Sequence, residues 1–119
     1  MKEEEILEYN KSCAEFLNWE KSDTVYRTIE YYNNEKIVGN YKHTVNMKFH
    51  SDWNWIMKVL QRIEDLNFSV ELSNIGTQNY VCYIRSGGIK VIYSNILETK
   101  KEAVVQAINQ FLIWHNENN

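Results

Sequence analysis

The chain has 119 residues, of which 44% are hydrophobic, 13% aromatic and 24% charged. This composition is typical of a folded globular protein and excludes a disordered segment, and the length suffices for a hydrophobic core within one domain. The formal charge of −3 divides as −2 over residues 1–50 and −1 over residues 51–119, so neither half has the basic excess typical of nucleic-acid binders.

The sequence shows no targeting or metal-binding signal. The N-terminal residues lack the basic start and apolar run of a signal peptide, and no segment approaches the ~18 apolar residues of a membrane span. We therefore predict a cytoplasmic protein with no membrane partner. Cys13 and Cys82 are far apart in sequence, and His43, His50 and His115 have no metal-ligand spacing. We expect no disulfide framework, no metal site and no cofactor.

The first half of the chain begins with a predicted helix over residues 3–18, where Ile6, Tyr9, Cys13 and Phe16 recur at helical spacing. Strands are predicted over residues 24–31, where Val25, Ile29 and Tyr31 share one side, and over residues 41–49, where Tyr41, Val45, Met47 and Phe49 alternate. The pairs Asn33-Asn34 and Gly39-Asn40 are the expected turns.

The second half has a clearer pattern. Ser51 is the predicted N-cap of a helix with a broad apolar stripe, formed by Trp53, Ile56, Met57, Leu60 and Ile63 and widened by Trp55, Val59 and Leu66. Three alternating segments at residues 68–72, 80–85 and 89–94 predict an antiparallel meander, with Ser86-Gly87-Gly88 as a tight turn. A last helix is predicted after the capping box of Thr99 and Glu102, with Val104, Ala107, Ile108, Phe111 and Trp114 as its buried stripe.

These elements predict an α+β fold in which helices pack on one face of an antiparallel sheet of three or more strands. We expect a two-layer arrangement and a single domain over residues 1–119. This domain would contain an N-terminal helix within residues 1–20 and a helix–three strands–helix unit over residues 51–116.

Three short segments resemble a family of small uncharacterised proteins from phage- and prophage-like regions of bacterial genomes. They are Asn10 with Ala14-Glu15-Phe16-Leu17 and Trp19; residues 49–57 running into Val59 and Ile63-Glu64; and Lys101-Glu102-Ala103 with residues 111–116. The family usually has proline where this chain has Lys58, and tyrosine where it has His115. The resemblance implies a compact domain but carries no activity with it.

The order helix, three strands, helix also resembles the double-stranded-RNA-binding domain. Thr99-Lys100-Lys101-Glu102-Ala103 is similar to the segment whose lysines meet RNA phosphates at a helix N-terminus in that family. The resemblance implies nucleic-acid contacts at Lys100 and Lys101, and Lys58 and Arg62 are further candidates. The next lysine of the family is Val104 here, and the histidine-bearing loop has no counterpart. The alternative is that both lysines are solvated residues of a capping box.

Aromatic residues are concentrated in residues 19–55 and offer a second kind of binding surface. Tyr31, Tyr32 and Trp55 have neighbours polar enough to suggest exposure, which would favour a protein partner or self-association. The alternative is that most of the aromatic residues complete the core.

Catalytic motifs are missing from the sequence. It has no phosphate-binding glycine loop, no Gly-x-Ser-x-Gly and no helical His-Glu-x-x-His, so we expect no enzyme activity. The sequence favours a small accessory protein of phage or mobile-element type that binds a macromolecular partner. The alternative is an RNA- or DNA-binding module.

Overall fold

The computed structural model describes residues 1–87 and 90–118, although the side chain of Lys90 lies outside the described part. The chain forms two compact units, Met1–His50 and Ser51–Asn119. The single-domain prediction stays a prediction, and each unit is described by itself. Within the described residues, no helix is long and apolar enough to cross a membrane.

The first unit consists of one helix and a three-stranded antiparallel sheet in the order β1-β2-β3. Its elements are α1 (Glu3–Phe16), β1 (Glu20–Ser22), β2 (Val25–Tyr32), β3 (Glu35–His43) and a short 3₁₀ helix (Thr44–Asn46). The prediction of a helix over residues 3–18 is confirmed, and so is a strand near residues 24–31. Strand β1 is an element that the sequence pattern did not predict.

The prediction of a strand over residues 41–49 is wrong beyond His43. After the hairpin turn at Asn33-Asn34, β3 pairs with β2 from Glu35 to His43. The strand therefore ends before Val45. Val45 is 67% exposed in the 3₁₀ helix. The predicted turn at Gly39-Asn40 is also wrong, because both residues lie within β3.

The core of the first unit is organised around buried polar groups of α1. The Asn10 side chain donates to the Met47 carbonyl at 3.2 Å and accepts from the Phe49 amide at 3.1 Å. The Tyr9 hydroxyl donates to the Phe49 carbonyl at 3.1 Å. Phe49 also packs against Trp19, with ring centroids 5.2 Å apart. These contacts hold the extended segment after the 3₁₀ helix against α1.

The second unit has the predicted order of helix, three strands and helix. Its elements are α2 (Trp53–Asp65), β4 (Ser69–Asn74), β5 (Tyr80–Ser86), β6 (Lys90–Tyr93) and α3 (Lys100–Glu117). The strands form an antiparallel meander in the order β4-β5-β6, as the sequence predicts. Of the predicted turn, Gly87 has a φ of +47°, whereas Gly88 lies outside the described residues, as does Ile89 from the third predicted strand.

Both helices of this unit pack on one face of the meander. Cys82, Ile84 and Ile92 are buried on that face, and Phe68 packs edge-on against Phe111 at 5.0 Å between ring centroids. The α+β architecture with helices on one face of an antiparallel sheet is therefore confirmed. The described residues form two three-stranded antiparallel sheets, one in each unit.

The helix ends of the second unit follow ordinary capping chemistry. The N-cap of α2 is Asp52, whose side chain accepts from the Asn54 amide, and not the predicted Ser51. The N-cap of α3 at Thr99 is confirmed, although the Glu102 carboxylate accepts from the Thr99 hydroxyl and not, as predicted, from the Thr99 amide. Thr99 Oγ1 accepts from the Glu102 amide at 3.1 Å and donates to the Glu102 carboxylate at 2.8 Å.

Candidate protein-binding surface

The β2–β3 hairpin, residues 25–43, is the most exposed regular element among the described residues. Its turn is formed by Asn33 and Asn34, with φ of +51° and +67°. Two successive positive φ values are characteristic of the type I′ turn, whose twist matches that of the flanking strands. Asparagine tolerates this region better than most residues. The turn at the two asparagines therefore sets the register between β2 and β3.

A β-bulge divides the hairpin into a base and a tip. Arg27 pairs with Tyr41 and Ile29 pairs with Val38, so one residue of β2, Thr28, faces two residues of β3. The two residues are Gly39 and Asn40. A Cβ at position 39 would overlap Thr28 Oγ1, so this close approach of the strands requires glycine.

The base of the hairpin is anchored to the first unit. Tyr26 is buried, and its hydroxyl donates to the Glu15 carboxylate at 2.9 Å. Burial and this hydrogen bond raise the pKa of Tyr26 to about 12. Arg27 pairs with Glu20 at 2.6 Å and lies over the Tyr41 ring at 5.0 Å from its centroid. The base therefore holds the hairpin in a fixed direction.

The tip is exposed to solvent. All nine residues from 30 to 38 are exposed. Four of them carry large apolar side chains: Tyr31 and Tyr32 are each 70% exposed, Ile37 is 51% and Val38 is 40% exposed. A two-stranded ribbon in water is marginally stable, and exposed apolar patches commonly mark interaction sites.

One face of the hairpin carries a continuous apolar strip. The cross-strand pairs place Ile29, Tyr31, Val38 and Tyr41 on this face, and we call these four residues the apolar strip. Lys36 lies beside Tyr31 at its end. The opposite face of the tip carries Tyr32 and Ile37 among charged neighbours. Tyr31 and Tyr32, which the sequence predicted together, therefore lie on opposite faces.

Strand β3 also presents backbone groups for pairing. It lies at the edge of its sheet, because the strand order is β1-β2-β3. With nine residues, β3 is the longest strand of that sheet. An exposed edge strand with apolar side chains is a template for pairing with another chain. The sheet edge that offers backbone donors and acceptors therefore also carries Val38 and Tyr41 of the apolar strip.

Trp55, the third predicted aromatic contact, lies in α2 of the second unit and is half-buried. The sequence predicted exposure of Trp55, and its side chain is only partly exposed. In that unit Trp53 is the more exposed tryptophan of α2, at 39%.

The four predicted nucleic-acid contacts lie at the start of α3 and along α2. Lys100 Nζ lies 5.9 Å from the Tyr80 ring centroid, and Lys101 Nζ lies 6.0 Å from that of Trp53. Lys101 is therefore near the first residue of α2. Lys58 and Arg62 lie farther along α2, with Arg62 about one turn after Lys58. Burial lowers the pKa of His115, near the end of α3, and the positive charge of Arg62 lowers it further.

A second polar and aromatic cluster lies on the sheet face of the second unit that the helices leave open. The Arg85 guanidinium lies 4.9 Å from the Tyr83 ring centroid and 3.7 Å from the Glu71 carboxylate. Tyr93 is adjacent, with its ring centroid 6.3 Å from that of Tyr83. The sequence pattern predicted these strands but did not single out this cluster. Glu71 balances the charge of Arg85, so the cluster is not a basic patch.

Both cysteines are buried, and His50 is half-buried. Burial raises the pKa of the Cys13 thiol, and raises that of Cys82 to about 11. Burial lowers the pKa of His50, whose Nδ1 lies 3.2 Å from Asn10 Nδ2. Among the described residues, no group of three or more potential ligands could hold a metal ion.

The comparisons with known proteins add no further constraint. Family models, curated proteins and solved structures yield no match to this chain. The β2–β3 hairpin is therefore identified as the candidate site by its own geometry: an apolar strip, a long free edge and a rigid base.

Proposed function

We propose that the chain is a small non-enzymatic accessory protein that acts by binding another protein through its β2–β3 hairpin. The observation that carries this proposal is the exposure of all nine residues from 30 to 38, four of which are large and apolar. A role in a phage or mobile element is part of the proposal and is supported by the three sequence segments that resemble the phage-region family.

Binding would occur by strand addition at the edge of β3. An extended segment of the partner forms main-chain hydrogen bonds to β3, which supply much of the affinity. Its side chains on one face contact Val38 and Tyr41 of the apolar strip, which supply specificity. The added strand turns a marginal two-stranded tip into a three-stranded sheet, so binding also stabilises the hairpin.

The proposal is tested by selecting binders from a displayed library of extended peptides. The wild-type chain is compared with a variant that carries Tyr31→Thr and Val38→Thr, because threonine keeps strand propensity while removing the apolar surface. Val45→Thr is the matched control, since Val45 is 67% exposed outside the hairpin. We expect peptides that bind the wild type and the control, fail to bind the double variant, and slow amide exchange along Glu35–His43.

Two outcomes would contradict this function. Either no peptide is enriched, or the enriched peptides bind the double variant as well and slow exchange elsewhere. A mobility shift with duplex RNA that weakens with Lys100→Ala and Lys101→Ala would instead support the nucleic-acid alternative.

A further inference from the structure

We infer that the partner strand at the edge of β3 carries, in chain order, two apolar residues, one acidic residue and one basic residue, and that it pairs antiparallel with residues 35–38. We call residues 35–38 the tip segment. The inference rests on the proposed function and states the chemistry of its partner. The two apolar residues lie opposite Val38 and Ile37, the acidic residue opposite Lys36 and the basic residue opposite Glu35.

The tip segment is regular and open to solvent. Its four residues pair in unbroken register with residues of β2 from Tyr32 to Ile29, because the bulge begins only after Val38. All four are exposed. Strand β3 is at the edge of the sheet, so β2 occupies only one of its two sides. An added strand can therefore pair with the tip segment without crossing the bulge.

Strand alternation separates the two charges of the tip segment. Successive side chains point to opposite faces. Lys36 and Val38 lie on the face of the apolar strip, whereas Glu35 and Ile37 lie on the other face. Residues directly opposite each other in a strand pair share a face. A partner strand therefore meets a cation beside an apolar side chain on one face, and an anion beside an apolar side chain on the other.

The charges of the tip segment are available to a partner. Neither Glu35 nor Lys36 takes part in an ion pair of the described residues. Opposite charges on facing residues stabilise a strand pair, and like charges destabilise it. An acidic residue opposite Lys36 and a basic residue opposite Glu35 give two attractive pairs. Apolar residues opposite Ile37 and Val38 cover side chains that are 51% and 40% exposed.

The direction of the partner strand follows from the pairing chemistry of strands. An antiparallel pair is slightly more stable per residue than a parallel one. The tip segments of two copies of this chain do not complement each other in that direction. Antiparallel pairing about Lys36 would place the two Lys36 side chains opposite each other, and pairing about Ile37 would place Lys36 opposite Val38. Neither register gives Lys36 an acidic neighbour, so the tip segment fits a different protein.

The test compares two peptides with identical threonine-rich flanks, one with the central sequence Val-Ile-Glu-Lys and one with Val-Ile-Lys-Glu. Their composition and net charge are the same. The wild type should bind the first about tenfold more tightly, because the second replaces two attractive pairs with two repulsive ones. The double variant Glu35→Lys with Lys36→Glu keeps the net charge and should prefer the second peptide. Lys2→Glu with Glu3→Lys, an equal exchange at exposed residues outside the hairpin, should keep the wild-type preference.

Equal binding of the two peptides to the wild type would overturn the inference. So would a failure of both peptides to bind, or a Glu35→Lys, Lys36→Glu variant that keeps the wild-type preference. Slower amide exchange along β3 at high chain concentration without peptide would place a second copy at this edge and would also refute it. The proposed function fails separately: a library-selected peptide that protects β3 but lacks the charge pattern refutes the pattern and leaves protein binding standing.

Discussion

Replacing Gly39 with alanine tests the geometry on which the hairpin surface depends. Gly39 lies in the bulge, and the new Cβ would overlap Thr28 Oγ1. The backbone itself accepts alanine, because Gly39 does not have a left-handed φ. We therefore expect the full cost of the substitution to come from one side-chain atom of Thr28.

The magnitude follows from that single overlap. Overpacking of this kind costs about 1–3 kcal/mol of unfolding free energy. After Thr28→Ala the nearest remaining atom is the Cβ of residue 28 at 3.4 Å, an ordinary contact distance. In that background Gly39→Ala should be neutral or should stabilise by about 0.4–1 kcal/mol, because alanine restricts the unfolded chain. The two substitutions should therefore be coupled by more than about 1 kcal/mol.

The assay is a double-mutant cycle by urea denaturation, with amide exchange along β2 and β3 as a local readout. We expect Gly39→Ala to speed exchange at the hairpin and Thr28→Ala to reverse most of the loss. Equal destabilisation by Gly39→Ala in both backgrounds would refute the role of Thr28 and of the close approach.

Three further predictions concern the framework around the site. Asn10→Ala should cost about 2–4 kcal/mol, because it leaves buried backbone groups of Met47 and Phe49 without partners; a loss below 1 kcal/mol in urea denaturation would contradict this. Thr99→Ala should cost about 0.5–2 kcal/mol while Thr99→Ser keeps the cap, and equal losses for both would exclude the capping role. Burial lowers the pKa of His50 from 6.5 in the folded chain, so its contribution to stability is complete above pH 6.5 and is lost as pH falls below that value. His50→Gln should therefore reduce the loss of stability between pH 8 and pH 5, and an unchanged loss would contradict the shift.

The fold of the second unit follows closely from its sequence. Period-two alternation, a glycine-containing turn and the N-cap at Thr99 are local signals, and each is confirmed where the structure describes it. Burial on α2 was less predictable. Met57 belongs to the predicted stripe yet is 54% exposed, whereas the buried Val59 was assigned to its margin. Helical periodicity predicts which side of a helix is buried to within about one residue. It does not show which residues of that side the sheet covers.

The first unit was less predictable because its signals are longer in range. The alternation of Val45, Met47 and Phe49 resembles a strand, but buried hydrogen bonds from Asn10, about 37 residues earlier, hold that segment instead. Gly39-Asn40 has the composition of a turn and forms a bulge. The one decisive local signal was Asn33-Asn34: two positive φ values there determine the register of the hairpin and place Val38 and Tyr41 on one face.

The candidate site was predicted in part. Tyr31 and Tyr32 were identified as exposed from their polar neighbours, and both are 70% exposed. Val38 and Tyr41 were missed, because their importance depends on the edge position of β3 and on the bulge. Neither feature is visible from residue types alone.

The central claim is that the edge of β3 pairs with an extended strand of a protein partner. The most direct measurement is amide hydrogen exchange along Glu35–His43 in the absence and in the presence of a selected extended peptide. The account predicts that these amides exchange more slowly with the peptide bound, while the amides of α3 are unaffected. Identical exchange along β3 with and without the peptide would contradict it.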